Sequence, residues 1–157
     1  MASIKGITVK NLHTFRGEEY PTNYQGNIYF NGKLQGFWSQ DGWGGPDRYE
    51  FNSTELEKIA RNYYKGEPYY DLDCLMNEII TLVEYEKRFK KAIKEGYTAF
   101  VVIADAFKRE TWVKVPMTTD KEVIRAKCQD LIKKLEAETK KPVEDVKIFT
   151  DLADFVK

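Results

Sequence analysis

The sequence predicts an α+β fold over residues 1–157 as a single domain, with mostly antiparallel sheet packed against two long helices. Three features carry that reading. Alternating, turn-punctuated segments fill the first third of the chain, helical apolar spacing fills two long stretches over 71–95 and 119–140, and a second pair of strands lies between them.

The first strand is read from "SIKGITVKN", where Ile4, Ile7 and Val9 form a short, imperfect apolar pattern. "GNIYFNGKLQGFW" follows, and Asn31-Gly32 at its centre is a hairpin signal, because a type I′ turn needs positive φ at both central residues. "DRYEF" adds a further strand. Thr54 with Glu57 reads as a capping box opening a short helix, "TELEKIARNYY", that ends near Gly66. From Asp71 to about Glu95 a long helix is expected, with Leu72, Leu75, Met76, Ile79, Val83 and Ile93 at helical spacing and Gly96 as its stop.

"YTAFVVIA" and "ETWVKV" are then two strands joined by "DAFKR", the first apolar enough to be central and covered on both faces. Pro116 closes the pair. Thr119 with Glu122 reads as a second capping box, opening a helix to about Lys140 with Val123, Ile124, Cys128, Leu131, Ile132 and Leu135 buried. The tail "VEDVKIFTDLADFVK" offers a short edge strand and a last helical turn.

Composition excludes several function classes. The 25 basic and 25 acidic side chains cancel, which argues against a general nucleic-acid coat or a membrane-surface protein but permits one small anionic ligand in a local pocket. No stretch approaches the roughly 20 apolar residues of a membrane span, and "MASIKGITVK" has no apolar leader core, so a cytoplasmic protein is expected. The two cysteines, Cys74 and Cys128, sit among apolar neighbours on expected helices and read as buried free thiols.

Catalytic groups are sparse. His13 is the one histidine, so no multi-histidine metal site can form, and no nucleophile sits in a recognisable elbow. Asp41, Asp47, Asp105 and Glu110 cluster loosely without diagnostic metal spacing. "DGWGGP" is not a phosphate-binding P-loop, since no Gly-Lys-Ser/Thr follows and the next element reads as a strand.

What the segment "LQGFWSQDGWGGPDRYEF" does contain is glycine beside flat rings. Gly44 and Gly45 permit close backbone approach, Trp38, Trp43 and Tyr49 offer faces on which a base stacks, and Arg48 offers a fork of donors for a phosphate. A bulged hairpin whose tryptophans close over the sheet, with Arg48 solvated, accounts for the same residues. A second cationic surface comprises Lys108 and Arg109 at a hairpin tip and Lys121 with Arg125, side by side at i, i+4 near a helix N-terminus where cations are disfavoured. An anion bridging them relieves that conflict, and a solvated mixed-charge face is the competing account.

The order "ITVKNLHTFRGEEY", "NIYFNGK", "DGWGGPDRYEF", a long helix with "EKRFKK", a hairpin and a capped helix after a proline resembles a family of small phage proteins, the anti-Thoeris nucleotide sponges. Such proteins bind cyclic ADP-ribose isomers made by bacterial TIR-domain defence enzymes and sequester them uncleaved. The resemblance implies a phage anti-defence protein that is not an enzyme and needs no cofactor or metal. It further implies a symmetric homo-oligomer with ligand pockets at subunit interfaces that hold an adenine by stacking and a pyrophosphate by arginine. Gly44, Gly45, Arg48 and Tyr49 would approach the ligand, and Lys121 and Arg125 would match a cation pair on the family's late helix.

Two other functions remain open on the residues. One is an inhibitor that docks on a bacterial defence nuclease through its aromatic surface, in the manner of an anti-CRISPR protein. The other is a metal-dependent phosphodiesterase using Asp41, Asp47, Asp105 and Glu110.

Overall fold

The computed structural model describes all residues from 1 to 157 and is α+β, with every strand pair in its sheets antiparallel. The sequence reads as one domain; the backbone groups into two compact units, Met1–Glu84 with Phe155–Lys157, and Tyr85–Asp154.

The first unit holds a meander of four strands, β1 (Ile7–Phe15), β2 (Asn23–Phe30), β3 (Lys33–Ser39) and β4 (Arg48–Tyr49), paired in that order. The β2–β3 turn is the expected one: Asn31 (φ 48°) and Gly32 (φ 80°) both sit in the left-handed region, with Phe30 opposite Lys33. A second turn of this kind, Lys5-Gly6, escaped the sequence reading. It folds Ile4 back on Ile7, so the strand begins at Ile7, and Ser3 instead bridges Val156 in parallel. Ile7, Val9, Ile28 and Trp38 supply the buried face. "DRYEF" shortens to the two residues of β4.

Helix α1 (Thr54–Tyr63) begins where expected but without the capping box. Ser53 is the N-cap, and its backbone is already helical, so its hydroxyl donates to the Glu57 side chain at 2.6 Å instead of accepting from the backbone. Asn52 Oδ1 accepts from Thr54 N at 3.1 Å. Helix α2 (Leu72–Lys94) opens with Asp71 Oδ1 accepting from Cys74 N, and ends at Gly96 with φ 90°. Tyr63 of α1 and Tyr64, its C-cap, both donate to the Glu78 carboxylate of α2, which ties the end of α1 to α2.

The boundary between the units falls inside α2, after Glu84. Its N-terminal half buries Leu72, Leu75, Met76, Ile79, Ile80, Leu82 and Val83, a stripe wider than predicted. Near its end Phe89 and Ala92 are buried, and Ile93, expected inside, is exposed.

In the second unit β5 (Ala99–Ala104) is central, flanked by β6 (Glu110–Val115) and β7 (Asp145–Phe149). Side chains alternate by face. Ala99, Val101, Ile103 and Val115 pack on Ile124 of α3 (Lys121–Lys127), Ile132 of α4 (Gln129–Thr139) and Cys128 between them. On the opposite face Phe100 and Phe149 stack at 6.3 Å between ring centres, and Tyr85 of α2 meets Phe149 at 5.7 Å.

The second long helix of the sequence reading is thus two segments meeting at Cys128, and Val123, expected inside, is exposed. Its cap lies one residue later than read: Asp120, not Thr119, accepts from the backbone N–H of Glu122 and Val123. The tail forms β7 and a final 3-10 turn, Leu152–Phe155, as the sequence suggested.

Candidate functional site

The glycine-rich segment connects β3 to β4, and Gly42 within it answers to backbone packing. Gly42 O accepts from both Glu18 N and Glu19 N, at 2.9 and 3.2 Å, which clamps this loop against the β1–β2 loop. At Gly17 a Cβ would stand 2.6 Å from Gly42 O, so the two backbones touch where no side chain fits. Gly44 has φ 81°, a turn requirement.

Trp38 is a core residue. It has no exposed surface, so it cannot offer a face to a ligand; the sequence expectation of a stacking role is corrected by burial. Its indole Nε1 donates to Asp47 Oδ2 at 2.8 Å. Asp47 N donates to Asp73 Oδ2 at 3.0 Å, and the Tyr49 hydroxyl donates to Asp73 Oδ1 at 2.7 Å. Tyr49 is therefore a tether between β4 and α2, and burial together with Asp73 holds its phenol well above the usual range.

This network fixes the far end of the loop, and it carries a pH dependence. Burial, then the charge of Asp73, pushes the Asp47 carboxyl up to about 7, against the pull of the Trp38 donor. A carboxyl raised on folding stabilises the fold in its protonated form. That contribution is whole below about pH 4 and is lost as pH rises towards 7. Asp47→Asn should therefore match the parent in urea unfolding at pH 4 and exceed it at pH 8 by about 1–2 kcal/mol, a figure kept small because the group is partly open to water. Equal stability of the two proteins at both pH values would remove the buried charge as the cause.

Two clefts open on either side of the loop. The larger, about 460 Å³, is lined by Gly44, Gly45, Asp41, Asp47, Asp73 and Asn77, and its carboxylates make it hostile to a phosphate. The other, about 400 Å³, lies between the β1–β2 and β3–β4 loops and presents Arg16, Arg48 and Trp43 together with Gln25, Ser39 and Gln40. Trp43 is 73% exposed there, so most of its surface is open to solvent. Glu18 and Asp41 also line this cleft, and Asp41 Oδ2 already accepts from Gly45 N.

The structure thus places Trp43 and Arg48 on one cleft and Gly44 and Gly45 on the other. The remaining expected residues belong to the second unit. Arg109 is held by Asp105, through Nε at 2.8 Å and a terminal nitrogen at 2.7 Å, in a turn whose Phe107 and Arg109 N–H groups also donate to Asp105. Lys121 pairs with Asp154 at 2.7 Å, and Arg125 stands exposed one turn later on α3. Glu110 accepts from Tyr85 and Trp112. No three His, Cys, Asp or Glu side chains are placed to hold a metal ion, and no helix is long and apolar enough to cross a membrane.

Arg16 and Gln25 are the site residues that sequence reasoning missed. The signal was the meander: with β1 and β3 both antiparallel to β2, Gln25 lies opposite His13 on one side and Ser39 on the other. The chain leaving β1 and the chain leaving β3 are thereby brought to the same end of the sheet, Arg16 beside the glycine-rich loop. Comparison with known proteins adds no relative to this geometry: no protein-family model, curated protein or solved structure matches the chain.

Proposed function

We propose that the protein is a non-catalytic binding protein that sequesters a small phosphorylated nucleotide in the cleft between its β1–β2 and β3–β4 loops. The ligand is a cyclic nucleotide immune signal of the cyclic ADP-ribose type, as the resemblance to anti-Thoeris sponges implies, held intact in the cytoplasm of a phage-infected cell. The observation that carries the reading is the convergence of Arg16, Arg48 and the largely exposed Trp43 on one cleft of about 400 Å³. That volume lies within the usual range for small-molecule sites.

Each group has a role that its chemistry supports. Trp43 stacks on a base, and the two guanidinium forks grip phosphate oxygens. Glu18 and Asp41 accept from an exocyclic amino group, which favours adenine over a bare phosphate. None of these groups is a nucleophile with an adjacent base, so the ligand leaves as it came.

Calorimetric titration with cyclic ADP-ribose isomers and cyclic di- and trinucleotides tests the proposal. Submicromolar binding of at least one, with the compound recovered intact after denaturation, is the expected result. Trp43→Ala should then weaken binding by about 1–3 kcal/mol, the usual worth of one stacked base. Absence of heat with every compound, or recovery of a cleaved product, overturns it.

One observation favours the reading as a protein-directed inhibitor. Tyr69 and Tyr70, adjacent before α2, are 89% and 51% exposed, and paired exposed tyrosines suit a protein interface. That alternative predicts a stoichiometric complex with a defence nuclease and no small-molecule ligand.

A further inference from the structure

Strand β6 ends the second unit's sheet on one side. Its pairing with β5 decides which of its backbone groups face away. Asp105 N donates to Arg109 O, and the hydrogen-bonded pairs recur every second residue through Ile103/Thr111, Val101/Val113 and Ala99/Val115. The N–H and C=O groups of Glu110, Trp112 and Lys114 therefore point to the open edge.

The same three residues carry exposed side chains on one sheet face. Trp112 is 44% exposed, with the Arg88 guanidinium 3.5 Å above its ring and its Nε1 donating to Glu110 at 3.1 Å. Lys114 pairs with Glu95.

We propose that two copies of this chain join edge to edge through β6, antiparallel about a two-fold axis at Trp112. The three outward-facing residues pair with one another in that register. Glu110 stands opposite Lys114 of the partner subunit, Trp112 opposite its own counterpart, and Lys114 opposite Glu110 of the partner subunit. An edge lysine ordinarily repels an incoming strand; in this arrangement each meets a carboxylate, and the strand is complementary to itself. Strand β7, the other edge, lacks that property, because two-fold pairing about its centre sets Lys147 against Lys147. The product is a six-stranded antiparallel sheet with an isologous interface. The interface does not depend on the ligand reading, and its test is made without ligand.

Sedimentation equilibrium of the full chain should show a dimer. Lys114→Gln removes an attraction and Lys114→Glu adds a repulsion at two symmetric places, so the dimer Kd should rise in that order, by roughly tenfold or more for Glu. Glu110→Lys should act like Lys114→Glu. An equimolar mixture of the two reversed variants should recover the dimer, because every cross-strand pair is again of opposite sign. Circular dichroism confirms that each variant is folded; should Glu110→Lys fail to fold, the Lys114 series alone decides. A monomeric parent at all concentrations, a dimer indifferent to the Lys114 series, or a mixture of folded variants that stays monomeric overturns the proposal.

Discussion

Trp38→Ala is expected to lower the unfolding free energy by about 3–5 kcal/mol, a large share of the roughly 5–15 kcal/mol that holds an ordinary domain together. Two losses add. The indole is among the largest side chains with no exposed surface, lying on β3 where Gly26 of β2 faces it across the sheet, so no neighbouring side chain on β2 can move in to fill the space. Its Nε1 is also the donor to Asp47, and without it the partly buried carboxylate loses its one opposing influence against burial and Asp73. Trp38→Phe separates the two, since it keeps most of the volume and removes only the N–H. That variant should cost about 1–2 kcal/mol, and less below pH 4, where Asp47 is protonated. Urea unfolding of the three proteins at two pH values checks both. A Trp38→Ala penalty under about 1 kcal/mol would show that β3 does not depend on this side chain.

Trp38 also shows where sequence reading reaches its limit. Its type and its place beside glycine suited either a stacking platform or a core residue, and only the strand register, which puts it on the face with Ile28 and Val9, decides for the core. The elements were legible where chemistry is local: Asn31-Gly32 demands its turn, Gly96 its helix end, and the apolar run of β5 its central place. The helix starts lie one residue from where the capping boxes put them: Ser53 is the N-cap of α1 without a side-chain cap bond, and Asp120, next to Thr119, is the side chain that accepts from the first-turn N–H groups of α3. Of the residues lining the candidate cleft, Trp43 and Arg48 were picked out from the sequence. Arg16 was not, because what joins it to them is the sheet, over a sequence separation that no motif spans.

If the cleft holds phosphate, Arg16→Ala and Arg48→Ala should each weaken nucleotide binding by about 1.5–3 kcal/mol, the worth of a charge-assisted hydrogen bond. Both side chains are exposed and rooted at strand ends, so stability should change by no more than about 0.5 kcal/mol. The double variant says more than either alone. Arginines gripping separate phosphates of a pyrophosphate give losses that add, for a total of roughly a hundredfold or more, whereas two on one phosphate are coupled by about 0.5–3 kcal/mol. Arg125→Ala is the control that locates the site, because Arg125 stands on α3 in the other unit. Binding lost on Arg125→Ala but kept in the Arg16 and Arg48 variants would move the ligand from the cleft to the late helix. The reverse pattern, with weaker binding as salt rises, would leave the cleft as the place where the anion is held.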